Sequence, residues 1–111
     1  MILRNDFFGI LGFAVRSRNV VFGALACEKG VKSGKVKLLL IDADASKRTK
    51  KDTENMCGYY SVKLIEIDPG GVLGKRCGEE SVKLVGVTDG GFAKRLLQIA
   101  QQQESGGAAL E

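Results

Sequence analysis

Val36-Lys37-Leu38-Leu39-Leu40-Ile41-Asp42-Ala43-Asp44-Ala45-Ser46 is the stretch that decides the fold. Its apolar run lacks the polar alternation of a half-solvated strand, and its length suits a strand buried on both faces. A sheet covered on both faces requires helices above and below it. Ser46, placed just after the strand, predicts the cap of a helix reaching to about Tyr59, with Thr53, Met56, Cys57 and Tyr60 turned inward.

Working back from this strand, Asn5 or Asp6 caps a first helix in which Phe7, Ile10, Leu11 and Ala14 form one apolar face, ending near Arg16. Val20-Val21-Phe22 reads as a short strand stopped by Gly23. A second helix follows from about Gly23 to Ser33, with Ala24, Cys27 and Val31 facing the core and Gly34 marking its end. Working forward, Val62 to Ile67 is a strand, Asp68-Pro69-Gly70-Gly71 opens a short helix closed by Gly78, and Val82 to Val87 is another buried strand. Asp89 caps a last helix carrying Phe92, Leu96 and Ile99 on one side. The pattern stops after Gln103, so residues 104–111 are expected to be a flexible tail and residues 1–103 a single domain. The alternation predicts a three-layer α/β/α sandwich with a four-stranded mixed sheet and about five helices.

A chain of 111 residues with 44% hydrophobic content matches one soluble globular domain. No apolar run reaches the roughly 20 residues that cross a bilayer, and Met1-Ile-Leu-Arg-Asn-Asp lacks the order of a signal peptide, so a cytoplasmic protein is expected. Cys27, Cys57 and Cys77 are an odd, widely spaced set with no Cys-x-x-Cys pair, and histidine is absent. They read as small core residues in a reducing compartment, and neither a metal nor a cofactor is expected. Without histidine, the commonest general base is missing, which counts against an enzyme.

The charge is unevenly divided. Residues 16–51 hold ten of the 17 Lys and Arg against three of the 13 acids, an excess of seven, whereas the remainder holds seven cations against ten acids. An asymmetry of this kind points to a polyanionic partner, nucleic acid first. Arg16 and Arg18 precede the strand that delivers the chain to a helix N-terminus, where free N–H groups and the helix dipole suit phosphate, although an isolated pair would also serve as solvated surface charge. Leu25, Lys29 and Lys32 fall at i, i+4 and i+7 on the outer face of the second helix, and Lys35 and Lys37 follow on the next strand. Lys47, Arg48, Lys50 and Lys51 crowd the start of the third helix against its dipole, as a solvated face or as a phosphate contact.

Other motifs carry less. Gly70-Gly71-Val72-Leu73-Gly74-Lys75-Arg76 has neither the spacing nor the hydroxyl of a phosphate loop. Asp42 and Asp44 could hold magnesium or act as acid and base, but capping and turn formation before Ser46 explain them more simply. Tyr59 and Tyr60 read either as base-stacking groups or as half-buried packing.

The order of elements and three local motifs resemble the ribosomal protein L-seven-Ae superfamily of kink-turn RNA-binding domains, most of all its bacterial YlxQ-like ribosomal-type branch. The matching pieces are Gly23, Lys32-Ser33-Gly34-Lys35-Val36-Lys37 with the strand that follows, Val72-Leu73-Gly74-Lys75-Arg76-Cys77-Gly78, and Val87-Thr88-Asp89-Gly90-Gly91-Phe92-Ala93-Lys94. Together they cover about residues 5–100. The resemblance implies a Gly-x-Asn-Glu reader at the second helix, a lysine further along it, and an apolar loop after the Leu-Gly element. The glycine and lysine fall on Gly23 and Lys29, but Leu25 and Ala26 occupy the Asn and Glu positions and cannot read base edges. Glu79-Glu80-Ser81 is acidic where the kink-turn binders are apolar. The leading expectation is therefore a non-enzymatic RNA-binding protein whose partner is structured or ribosomal RNA, with ribosomal or translation proteins as further partners. Its contact surface, a basic surface around the second helix, is expected to include Arg16, Arg18, Gly23, Leu25, Lys29, Lys32, Lys35 and Lys37. A protein-interaction module on the same fold is the alternative, and a small enzyme centred on Asp42 and Asp44 is the third reading.

Overall fold

Every side chain from Leu38 to Asp42 is buried, because the strand they form, β2, carries helices on both faces. The computed structural model describes the backbone of residues 5–110 and the side chains of residues 6–102. The elements run α1 (Asn5–Arg16), β1 (Val20–Phe22), α2 (Ala24–Lys32), β2 (Leu38–Asp42), α3 (Lys47–Tyr60), β3 (Lys63–Ile67), α4 (Val72–Cys77), β4 (Leu84–Val87) and α5 (Gly90–Leu110). The expected tail over 104–111 falls where side chains lie outside the described residues.

The sheet is mixed, in the order β1-β4-β2-β3. β2 and β3 are parallel, pairing Leu38 with Lys63 and Asp42 with Ile67, while β4 runs antiparallel to both β1 and β2. Alternate residues of β2 and β4 serve two cores, since successive strand side chains point to opposite faces. Leu38, Leu40, Val85 and Val87 pack with Phe7, Leu11, Leu73 and Leu96 from α1, α4 and α5. Leu39, Ile41 and Leu84 pack with Cys27, Val31 and Cys57 from α2 and α3. This is the α/β/α sandwich that the continuous apolar strand predicts, with four strands and five helices.

Local chemistry sets the ends. Ser46 accepts a hydrogen bond from the Thr49 N–H at 3.1 Å and caps α3. The Phe92 N–H donates to the Asp89 carboxylate at 2.9 Å at the start of α5. Gly78 stops α4 in the left-handed conformation. Two expectations need correction. Ala24 is exposed rather than in the core, because the sheet beneath ends at Leu84 and the first residue of α2 overhangs it. Tyr60 sits at the last turn of α3, past the strands that would cover it, and remains 39% exposed.

Candidate nucleic-acid interface

β1 delivers the chain to α2 through Gly23, whose φ of 90° and ψ of 161° are adopted at little cost only by glycine. The Gly23 N–H donates to the Leu84 carbonyl at 2.9 Å, and the Gly23 carbonyl accepts from the Cys27 N–H at 3.0 Å. No side chain caps α2. The N–H groups of Ala24, Leu25 and Ala26 in its first turn thus have no partner among the described residues, at the positive end of the helix dipole. Leu25 is 68% exposed beside them, and Lys29 stands one turn along, also exposed.

The loop that enters β4 lies at this same end of the sheet. It is held against α4 by Glu79 N–H donating to the Gly74 carbonyl at 2.8 Å and is closed on itself by Val82 N–H donating to the Glu79 carbonyl at 3.0 Å. A Cβ at Gly74 would meet the carbonyl oxygens of Glu79, Glu80 and Val82 at 2.5, 2.9 and 2.9 Å, so only glycine lets the loop approach. Glu79 and Glu80 are exposed there.

Asp42 is fully buried at the end of β2, and its carboxylate is consumed by backbone donors. It accepts from Gly71 N–H at 2.8 and 3.0 Å, Leu73 N–H at 3.1 Å and Asp44 N–H at 2.8 Å. Burial alone would push its pKa up, but these N–H groups and the Lys83 charge outweigh burial and hold it below the ordinary value. The Asp44 carboxylate accepts from Lys83 at 3.3 Å. The pair closes a turn and ties β2 to the start of α4, with no acceptor capacity on Asp42 directed to a ligand. Among the described residues no three His, Cys, Asp or Glu side chains are placed to hold a metal ion.

The cations other than Lys29 do not form one surface with the α2 entrance. Lys29 and Lys32 both lie in the last turn of α2. Lys32 Nζ donates to Glu28 one turn back on α2 at 3.1 Å, and this hydrogen bond raises the lysine pKa. Past the C-cap at Ser33, the chain turns through Gly34 at φ 79°, and Lys37 N–H pairs with the Val87 carbonyl at 2.8 Å. Thr88 N–H pairs with the Asn19 carbonyl at 2.9 Å, which brings Arg18 to the same place. Arg18, Lys35 and Lys37 therefore gather around a cup of about 550 Å³ at the end of the sheet opposite Gly23. Arg16, two residues before, lays its guanidinium 4.8 Å from the centre of the exposed Phe13 ring.

Arrangement in space was the part hidden from sequence reasoning, because i, i+4, i+7 spacing gives a face but not a position along the helix axis. Nine residues of α2 rise about 13 Å, enough to separate Gly23 and Leu25 from Lys35 and Lys37. The basic start of α3 is partly neutralised, with Arg48 3.8 Å from Asp52 and Lys50 3.5 Å from Glu66. Tyr59 is not packing but 82% exposed, its ring 4.8 Å from that of Tyr60 at 70°. A groove of about 460 Å³ runs between α2 and α3 from Ala24 to this tyrosine pair. Sequence reasoning missed it, since it arises only where two helices pack.

The α/β/α sandwich is shared with known proteins. The chain is 37% identical to the RNA-binding protein YlxQ of Bacillus subtilis (strain 168) over 94 residues, covering 85% of this chain and 94% of that protein. A solved structure of a Bacillus halodurans C protein of unknown function superposes with a TM-score of 0.81 at 29% identity, over 86% of this chain and 97% of the other. The fold alone is shared with a Giardia lamblia 15.5kD RNA binding protein, at 17% identity and a TM-score of 0.72 over 94% and 92% of the two chains. Because the family profile runs from the first turn of α1 through most of the first two turns of α5, residues 6–97, this chain belongs to the ribosomal protein L7Ae/L30e/S12e/Gadd45 family.

Proposed function

We propose that this protein is a non-enzymatic, cytoplasmic RNA-binding protein that engages structured RNA, with ribosomal RNA the natural class, at the entrance of α2. The reading rests on the unspent N–H groups of Ala24, Leu25 and Ala26 beside Gly23, in a chain similar to an RNA-binding protein along most of its length. These donors and the helix dipole suit a phosphate, with Lys29 adding a full charge one turn away. Leu25 and Ala26 have no hydrogen-bonding side chain, so recognition follows backbone and shape rather than base edges. A salt series of binding to a kink-turn RNA and to an unkinked duplex of equal length tests this. Binding to both, falling with salt and with a small preference for the kink, is expected. Absence of binding to either overturns the reading.

One observation favours a second reading, a protein-docking module: Leu25 is 68% exposed at the mouth of the groove that ends at Tyr59. Ribosomal proteins freed of RNA by nuclease would then retain the protein, and Leu25→Asp would abolish that retention.

A further inference from the structure

The cup at the far end of α2 has no role in recognition at the entrance. Three exposed cations surround it, Arg18, Lys35 and Lys37, and no carboxylate belongs to its lining. None of the three is paired with an acid among the described residues, in contrast to Lys32, Arg48, Lys50 and Lys83. Ser33, whose hydroxyl donates to the Gly30 carbonyl at 3.3 Å, and Thr88 complete the wall. The Ser33-Gly34 turn is the C-cap of α2: the Ser33 and Gly34 N–H groups donate to the Lys29 and Val31 carbonyls at 3.0 and 3.2 Å, and the Gly34 carbonyl accepts from Lys37 Nζ at 2.6 Å, which draws that ammonium to the rim of the cup. The Lys35 N–H that follows the turn has no partner among the described residues.

Arg18 adds a second kind of observation. It ends α1 in the left-handed conformation at φ 62°, with Asn19 N–H donating to the Ala14 carbonyl at 2.8 Å and Arg18 N–H to the Val15 carbonyl at 3.1 Å. This position ordinarily belongs to glycine or asparagine. An arginine at a strained backbone position, without an ion pair among the described residues, leaves its guanidinium available to a group outside the chain.

We propose that the cup of Arg18, Lys35 and Lys37 is a phosphate-backbone site for a second segment of RNA, so that the domain holds two segments at once, one at each end of α2. The inference rests on the RNA-binding reading above. The lining offers cations and small side chains with no Asn, Gln or carboxylate, a composition suited to neutralising phosphate rather than to reading adenine or cytosine edges. Its position, about 13 Å along α2 from the entrance, separates the two contacts by less than the width of one RNA helix, which suits two packed strands or helices of a folded RNA.

The test saturates the protein with a kink-turn RNA, then adds a labelled short RNA duplex and measures capture of the duplex across a salt series. Lys35→Gln with Lys37→Gln removes two cations from the cup. Gln101→Glu with Gln102→Glu, on the exposed side of α5, changes the net charge equally and serves as control. Each phosphate contact contributes about 0.9 to the salt slope, so losing two lowers the slope by about 1.8 and duplex capture about 30-fold near 0.15 M salt. The expected result is that loss for the lysine variant, with kink-turn binding retained and the glutamate variant within threefold of the unaltered protein. Undiminished duplex capture by the lysine variant, or equal loss in the two variants, overturns the second site while leaving the entrance reading intact. Failure of the unaltered protein to bind any RNA overturns both. Displacement of the duplex by polyglutamate of equal charge at equal concentration would assign the cup to an acidic protein segment instead and also overturn the inference.

Discussion

Arg18→Gly is expected to make the protein more stable and its RNA binding weaker. The left-handed conformation costs a non-glycine residue about 1.5 kcal/mol, whereas glycine's freedom in the unfolded chain returns about 0.7 kcal/mol of that, leaving a gain of about 0.8 kcal/mol. For a domain of this size the gain raises Tm by about 4 °C. The side chain itself contributes little to offset it, being exposed and without an ion pair among the described residues. Arg18→Ala separates strain from charge, since alanine keeps the strained backbone and loses the guanidinium. It should melt near the unaltered protein, and both variants should lose about fivefold in RNA affinity at physiological salt, the value of one phosphate contact. Ser61→Gly is the parallel control, because Ser61 caps α3 at φ 58° and should gain stability with RNA binding unchanged. Thermal melts and a binding isotherm on the same preparations decide the matter. A glycine variant melting at or below the unaltered protein refutes the strain argument, and an alanine variant that binds RNA normally refutes the contact.

Three further outcomes are expected. Asp42→Asn should cost about 2 kcal/mol, since a neutral amide cannot accept as strongly from Gly71, Leu73 and Asp44. Because the folded carboxyl is held below its unfolded value of about 3.9, its contribution is complete above that pH and fades as pH falls through the folded pKa; urea titrations from pH 7 to 3 should lose that acid-side slope in the variant. Cys27 is pushed up to about 12 by burial first and by the neighbouring Cys57 second, and burial pushes Cys77 up to about 11. A thiol reagent at pH 8 should therefore label none of the three cysteines until denaturant is added, and one fast equivalent from native protein would contradict their burial. Leu25→Asn with Ala26→Glu should add a kink-turn preference of at least about tenfold by supplying base-edge contacts, and an unchanged ratio of kink-turn to duplex affinity would count against the entrance as the reading site.

The readable part of the fold was local. Ser46, Gly78 and Asp89 mark helix ends because a cap is a contact between residues three or four apart. Leu38 to Ile41 announces a doubly covered strand because burial on both faces leaves no position for a polar residue. Gly23 was legible as a turn for the same reason. Long-range matters were not: Asp42 read as a turn residue, yet its carboxylate meets N–H groups 29 and 31 residues away. The exposure of Tyr59 and the groove beside it depend on how α2 and α3 pack, which no single helix pattern encodes.

Sequence alone determined that the chain builds an α/β/α sandwich and concentrates its positive charge between residues 16 and 51, since periodicity and charge are properties of residue order. Only the tertiary structure decided that these cations divide between two ends. β1 and β4 run antiparallel, so the residues that open β1 meet those that close β4, while α2 carries Gly23 and Leu25 away from Lys35 and Lys37 by its own length.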